Sequence, residues 1–483
     1  METIVTEKKV YFKELEKKIF HFVCGIAQEI TKAILEAYDD ELALERDRKK
    51  LRDKGKRQTT IKTVYGSVEY SRRVYETRLE DGTKAFVYLL DETIGMEKIG
   101  LISTNLAEII AMAVTESPFR KGAEMVSGTT GERVSHMCAW NLVQSLGERI
   151  SEEEDLAVSR MEAGNTEGEK QIPLLFEEMD GVWLRMQDSQ HKKCPGQEMK
   201  VFVMYEGWDA EKEKTGRSTL VNKKTLAGME GSEAFHRKRE AYIEQVYDPD
   251  EIGQRILNGD GGSWIKETYD DEAIFQLDPY HVQTAILKGI GDDAARSAVR
   301  EMLHEGRIKE MLDYIRTYAD SVAGDDPKDK RSGNALELLF YLENNRKGLV
   351  PWQKQIGQVP DPQPGCQYKN MGVQENQNCT VITLRMKHRR MRWSKSGANN
   401  MGKNLYRRAN GELQDTISRY TDGLIPPVKL EEFVEPLSAA KAPKRDGKGN
   451  PYVDIISSHM PILDAIRTAG HKVLANFIKG VNI

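Results

Sequence analysis

Phe12, Leu15, Ile19, Phe22, Ile26, Ile30 and Ile34 recur every three or four positions, which predicts an amphipathic helix. The pattern continues in a charged register from Glu36 to Arg52 and stops near Gly55, as a packing or dimer-forming helix would. From Thr59 to Leu90 the period shortens. Ile61 to Tyr70 reads as a hairpin-like unit and Ala85 to Leu90 as a further strand. Arg72 and Arg73 follow the hairpin and suit phosphate contact or a solvated strand face equally. Residues 101–150 return to helix. Ser103 is the expected N-cap for Leu106 to Val114, and Ser135 for a helix ending near Gly147. Phe119 to Val126 and the turn Ser127–Gly131 lie between them. A helix-turn-helix whose second helix, Ser135 to Leu146, enters a DNA groove fits this pattern, and so does a plain helical bundle. The acidic stretch Ser151 to Lys170 reads as a linker.

Strands come next. Leu174, Phe176, Val182 and Leu184 share one parity between Pro173 and Gln187, and Met199, Val201, Val203 and Tyr205 alternate in the following run. A third strand is expected around Ser218 to Val221, then a helix from Glu233 to Val246, then strands at Ile256-Leu257 and Ala273 to Leu277. Helices Ala294–Leu303, Ile308–Ala323 and Ala335–Asn345 follow. Residues 374–408 are expected to form helix again, before a polar tail that ends in a weakly amphipathic segment, Ile455 to Ile478.

At 483 residues the chain exceeds a single core, and two to four domains are expected. With 39% hydrophobic and 30% charged residues it reads as a folded globular protein. The net charge of −5 excludes a uniformly basic coat but not a local basic face. Cys24, Cys138, Cys194, Cys366 and Cys379 are scattered, with neither zinc spacing nor a disulfide framework, so a reducing cytoplasm is expected. The alternating acids and lysines of Met1 to Lys18 do not suit a signal peptide. No apolar run approaches the ~18 residues of a membrane span. A phosphate-binding Gly-x-x-x-x-Gly-Lys-Ser/Thr loop is absent, which argues against a nucleotide cofactor.

Three acids stand where an acid is hard to explain structurally. Asp180 shares strand parity with Phe176 and Val182, and a carboxylate on that side is costly unless paired or bound to a cation. Asp260 follows Ile256-Leu257 and precedes Gly261-Gly262, as an ordinary Asp-Gly turn also would. Glu375 opens a segment in which Arg385, Lys387, Arg389, Arg390, Arg392 and Lys395 occur without one acid and with Met391 and Trp393 interleaved. That run suits a surface tracking phosphates. In Asp278-Pro279-Tyr280-His281, Asp278 reads as an N-cap, with His281 one turn into the helix and within reach of a sheet end. An auxiliary role for Asp278 and His281 in orienting a phosphate or metal ligand is the alternative.

Taken together, strand-Asp180, strand-Asp260-Gly, Asp278-x-x-His281, a long helical block and Glu375 before Arg385-Met386-Lys387 through Trp393-Ser394-Lys395-Ser396-Gly397-Ala398 resemble bacterial insertion-sequence transposases of the ISLre-two family, relatives of the Mutator-like DDE group. Tyr65-Gly66 to Arg73, Leu89-Leu90-Asp91-Glu92 and Ser117 to Gly122 extend the likeness. Asn376 departs from it, since relatives carry a small residue such as Ser there. The resemblance implies an α/β RNase H-like catalytic core with an all-helical insertion, plus a mainly helical N-terminal region. It implies catalytic, metal-holding Asp180, Asp260 and Glu375, with two Mg²⁺ ions for which Mn²⁺ substitutes. The implied activity is DNA cleavage and strand transfer on double-stranded DNA, both terminal inverted repeats and target, by a homodimer or higher oligomer. An RNase H-like nuclease without strand transfer and a non-catalytic DNA-binding protein are the alternatives. The expected divisions are an assembly helix (1–55), a β unit with the helix-turn-helix-like region (56–165), the first part of the core (166–282), the helical insertion (283–365), the last part of the core (366–410) and a tail (411–483).

Overall fold

The computed structural model describes residues 11–79, 81–95, 101–266, 273–323 and 330–421. The tail segment expected after Pro426 lies outside the described residues. The chain divides into two compact units, the first holding the described residues up to 95 and the second those from 101 to 421. This differs from the expected division, which joined the small β unit to the helices after 101.

In the first unit, helix α1 (Phe12–Glu45) precedes strands β1 (Arg52–Thr63), β2 (Gly66–Arg78) and β3 (Lys84–Val87), which form an antiparallel sheet, and a short helix α2 (Leu89–Thr93). The expected helix therefore ends earlier than Gly55, and Leu89-Leu90 is helical. Gly55 sits inside β1 at φ +89°, where the register slips between Asp53 and Lys56, so it serves a strand bulge and not a helix stop. Leu35 of α1 packs with Ile61, Val68, Tyr70, Leu90 and Ile94. Arg72 is buried, bonds to Asp91 at 2.7 Å and stacks on Tyr88. Arg73 bonds to Asp39 at 2.8 Å and to Asp40. Both cations are paired with carboxylates of the same unit.

The second unit begins with α3 (Thr104–Glu116), α4 (Phe119–Thr129) and α5 (His136–Glu162). Ser103 and Ser135 cap α3 and α5 by accepting from the amides of Leu106 and Cys138, as the sequence predicts. The expected end near Gly147 and the expected linker from Ser151 are both corrected: α5 continues unbroken to Glu162. Gly147 is needed for a close crossing, because a Cβ there would lie 2.4 Å from the Cα of Asn400.

After β4 (Lys170–Ile172), strands β5 (Leu175–Gln187) and β6 (Lys193–Tyr205) form a long hairpin. A small excursion follows, with β7 (Gly207–Asp209), α6 (Ala210–Lys214) and β8 (Leu220–Val221). Strand β9 (Lys224–Gly228) then returns to the edge of β6. The expected third strand at Ser218–Val221 thus falls partly on β8, in a separate small sheet with β7, and β9 takes its place in the main one. Next come α7 (Ser232–Glu244), β10 (Tyr247–Ile252), β11 (Arg255–Gly259), α8 (Ser263–Lys266) and β12 (Ile274–Leu277). The main sheet runs β12-β11-β5-β6-β9. Strands β12, β11 and β5 are parallel, and β5, β6 and β9 form an antiparallel meander. Phe176, Val203, Tyr205 and Ile256 fill one face of it.

Helices α9 (Pro279–Gly289), α10 (Asp293–Glu305), α11 (Ile308–Ala323) and α12 (Lys330–Asn344) pack round a separate core that includes Val282, Ile286, Val299, Ile315 and Leu342. After α13 (Trp352–Gln355) and β13 (Cys366–Gln367), a helical run spans α14 (Gln374–Gln377), a π-helical segment (378–383) and α15 (Leu384–Met386). The expected helix over 374–408 is broken here. Arg389 and Arg390 both take positive φ, and residues 391–394 are non-helical before α16 (Lys395–Ala409) and α17 (Leu413–Thr421).

Candidate metal centre

The parallel strands align the acids. Met179 of β5, Gly259 of β11 and Leu277 of β12 lie in one register row. The next residue on each strand is Asp180, Asp260 and Asp278. The row therefore sets three aspartates side by side where β11 and β12 end, although β5 itself runs on to Gln187. Asp180 lies within β5 and not at its end, and it is buried on the face that its parity predicts.

Ligand atoms of Asp180, Asp260 and His281 come within 4.8 Å of one another. Asp260 is fixed by its own turn: Gly262 donates its amide to Oδ1 at 2.8 Å, and Tyr341 of α12 donates its hydroxyl to the Asp260 carbonyl at 2.9 Å. Gly261, at φ +86°, has no room for a Cβ beside Asn345. Asp278 does two jobs. Its Oδ1 caps α9 through the Tyr280 amide at 3.0 Å, and its Oδ2 meets Nδ1 of His281 at 2.9 Å. The cap and the auxiliary role are thus compatible, and Nε2 of His281 is left for a ligand.

Burial pushes the Asp180 carboxyl up to about 6, and the charge of Asp260 adds to this against the hydrogen bond from Gly181 and the pull of His281. The bond to Asp278 raises His281, helped by Asp180 and Asp260. The buried Asp180 carboxylate, the Asp260 carboxylate and an imidazole oriented by Asp278 form a donor set that suits a divalent cation. The three donors fit one ion.

Glu375 does not join this group. It is exposed on α14, while Asn378, three positions later, is buried and donates Nδ2 to Oδ2 of Asp180 at 2.6 Å. The helix therefore turns Asn378 toward Asp180 where the sequence pattern predicts Glu375. Its start is held by Glu178, which is fully buried two residues before Asp180. Glu178 accepts from the amides of Gly372, Val373 and Gln374 at 3.0–3.1 Å, from Tyr205 Oη at 2.6 Å and from Asn258 at 3.0 Å.

Two residues near the site are not legible in the sequence. Asn378 carries no charge pattern that would single it out. Glu198 lies on β6, and its carboxylate reaches the space above Gly181, where a Cβ would sit 1.9 Å from Oε1. Burial raises the Glu198 carboxyl, Lys200 opposes this, and Asp260 adds to it. Cross-strand pairing, which a single strand does not reveal, is what brings Glu198 here.

The basic run is divided between core and surface. Arg385 is buried, donates to the Val114 carbonyl at 2.6 Å and lies over the rings of Phe119 and Trp393. Burial, with the charge of Arg389, lowers it to about 10. Trp393 is also buried, and its backbone pairs with β5 through Arg185 and Gln187. Both are packing residues, which corrects their expected place on a DNA surface. Lys387, Arg389, Arg390, Arg392 and Lys395 are exposed, and no ion pair holds them among the described residues.

No helix among the described residues is long and apolar enough to cross a membrane. No curated protein matches the chain. The model of an uncharacterised protein family, UPF0236, matches residues 5–419, and the chain belongs to that family.

Proposed function

We propose that this protein is a DDE-type transposase, cutting DNA at the ends of an insertion sequence and joining those ends to a target. The observation that carries the reading is the register row that sets Asp180, Asp260 and Asp278 side by side, with His281 drawn in by Asp278. Support comes also from the sheet. An antiparallel meander with two parallel strands on the side of its first strand is the order an RNase H-like core takes, and a helical block intervenes before Glu375. Its likeness in sequence to the ISLre-two family points the same way.

Asp180, Asp260 and His281 would hold a divalent cation. When bound, the cation would supply Lewis-acid stabilisation of the charge that develops on the scissile phosphate. Asp278 keeps His281 in one orientation, and Tyr341 and Gly262 keep Asp260 in place. A second ion would need a further carboxylate, and Glu198 and Glu375 are the candidates on adjoining elements. The exposed cations from Lys387 to Lys395 would bind the phosphates of the duplex, as sequence-independent affinity requires. Exposed residues at the start of α5, including His136, Met137 and Asn141, are where base recognition would fall.

The test uses the full chain and a duplex bearing the inverted repeat that flanks its gene, with Mg²⁺ or Mn²⁺. Cleavage at the repeat end and joining to a second duplex are expected, and Asp180→Asn and Asp260→Asn should abolish both. Cleavage without joining would leave a nuclease. Binding without cleavage in either ion would leave a DNA-binding protein.

A further inference from the structure

Beside the basic loop lies a cavity of about 760 Å³, within the ~300–1,000 Å³ range of ligand pockets. Phe119, Met137, Trp140, Met391 and Trp393 line it together with Arg389, Arg392 and one acid, Asp188. Trp140 is 36% exposed and Met137 52% exposed, so an aromatic ring and a thioether are both open to a ligand. A second cleft of about 540 Å³ is lined by Arg185, Lys193, Arg390 and Arg392 with no acid. Arg392 borders both. The backbone at Arg389 and Arg390 is left-handed, at φ 60° and 55°. That conformation is unfavourable for a non-glycine residue, and here it occurs at two exposed cations in succession.

An apolar, aromatic pocket joined to an acid-free cationic cleft is complementary to one ligand chemistry: a flat base carried on a phosphate backbone. In a fully paired duplex the bases are stacked inside and cannot enter such a pocket. We propose that this pocket takes an unpaired nucleobase at the end of a DNA duplex, stacked on Trp140, while its flanking phosphates lie in the cleft of Arg185, Lys193, Arg390 and Arg392. The inference rests on the reading of the protein as an enzyme acting on DNA ends, and it adds a site for the end itself. Because every base has a π face, the pocket is tolerant of sequence, and its occupant need not be a particular base.

The experiment measures affinity by fluorescence anisotropy in EDTA, so that no cleavage contributes. Three short duplexes of one arbitrary sequence serve as probes: fully paired, with a terminal T·T mismatch, and with abasic residues at those two terminal positions. The mismatched duplex should bind at least about fivefold more tightly than the abasic one, the lower end of what one base–aromatic stack supplies. Trp140→Ala should remove that difference, and Trp140→Phe should keep most of it. Arg390→Ala with Arg392→Ala should weaken all three probes alike. Equal binding of the mismatched and abasic duplexes overturns the proposal, and so does a preference that survives in Trp140→Ala with an unchanged thermal melt. Loss of this preference with metal-dependent cleavage intact would sink the pocket alone. A preference kept in a protein that never cleaves would sink the catalytic reading alone.

Discussion

Asn378 donates its side-chain amide to Asp180 at 2.6 Å, tying a buried strand acid to the helix on which Glu375 is exposed. Asp180 is thereby held, but its charge is not neutralised. Burial raises its carboxyl from 3.8 to about 6, and each pKa unit corresponds to about 1.4 kcal/mol, so the ionised form costs the metal-free fold about 3 kcal/mol. The folded value lies above the unfolded one. The penalty is therefore absent below about pH 4, grows through about pH 6 and is complete above it. Asp180→Asn should raise metal-free stability by roughly 1–2 kcal/mol at pH 7.5, once about 1 kcal/mol for a weakened hydrogen bond is subtracted. The gain should vanish near pH 4. Mg²⁺ or Mn²⁺ should raise the melting temperature of the wild type and leave that of the variant unmoved. A melt of Asp180→Asn that rises with the ion as the wild type does would remove Asp180 from the metal centre.

The third acid can be settled by a pair of variants. Glu375→Gln and Glu198→Gln each remove one charge while keeping shape. If the exposed Glu375 joins the centre when DNA and metal are bound, its variant should lose cleavage by at least about a hundredfold with little change in melting temperature. If Glu198 is the working carboxylate, the loss should fall on its variant instead. Full activity in both would confine the chemistry to Asp180, Asp260 and His281.

Much of this was legible in the sequence where a signal is local. The caps at Ser103, Ser135 and Asp278, the parity that buries Asp180 and the long helices after Val282 follow from spacing and side-chain chemistry alone. Gly147 and Gly55 misled because a glycine signals a break only when nothing else needs it. One makes room for Asn400 and the other serves a bulge. Arg385 and Trp393 sit in a run of cations and look alike with their neighbours, yet the Val114 carbonyl and the Phe119 ring hold Arg385 inward, and pairing with β5 does the same for Trp393. The substitution of Asn378 for Glu375 beside Asp180 depends on how a helix docks on a sheet, which no pattern along one segment records.

The exposed and buried arginines should separate cleanly in solution. Neutralising Arg389, Arg390 and Arg392 together should weaken binding to any duplex. The log–log salt dependence should flatten by up to about 0.9 for each phosphate no longer neutralised, with the melt unchanged. Arg385→Ala should do the reverse. It removes a cation packed between Phe119 and Trp393 and bonded to the Val114 carbonyl, and should destabilise the fold by roughly 2–4 kcal/mol. A salt slope unaltered in the triple variant would show that these cations never meet the backbone of DNA.

Glu178 offers the sharpest test of how the site is assembled. Five donors face its two oxygens and it has no proton to give them: three backbone amides at the start of α14, the Tyr205 hydroxyl and the Asn258 amide. Burial raises its carboxyl, but these bonds oppose the rise, and an acceptor-only carboxylate is the form that satisfies all of them. Glu178→Gln keeps the volume and turns an NH₂ group toward the donors, leaving at least one of them unpaired. We expect a loss of roughly 2–4 kcal/mol, in the range for hydrogen bonds to a charged group plus a stranded buried donor. Amide exchange should quicken first at Gly372, Val373 and Gln374, before the sheet opens, because their acceptor is the one removed. Since the same helix carries Asn378, the ion-induced rise in melting temperature should shrink as well. A variant with wild-type stability and unchanged exchange at those three amides would mean that the helix is positioned by its packing and not by Glu178.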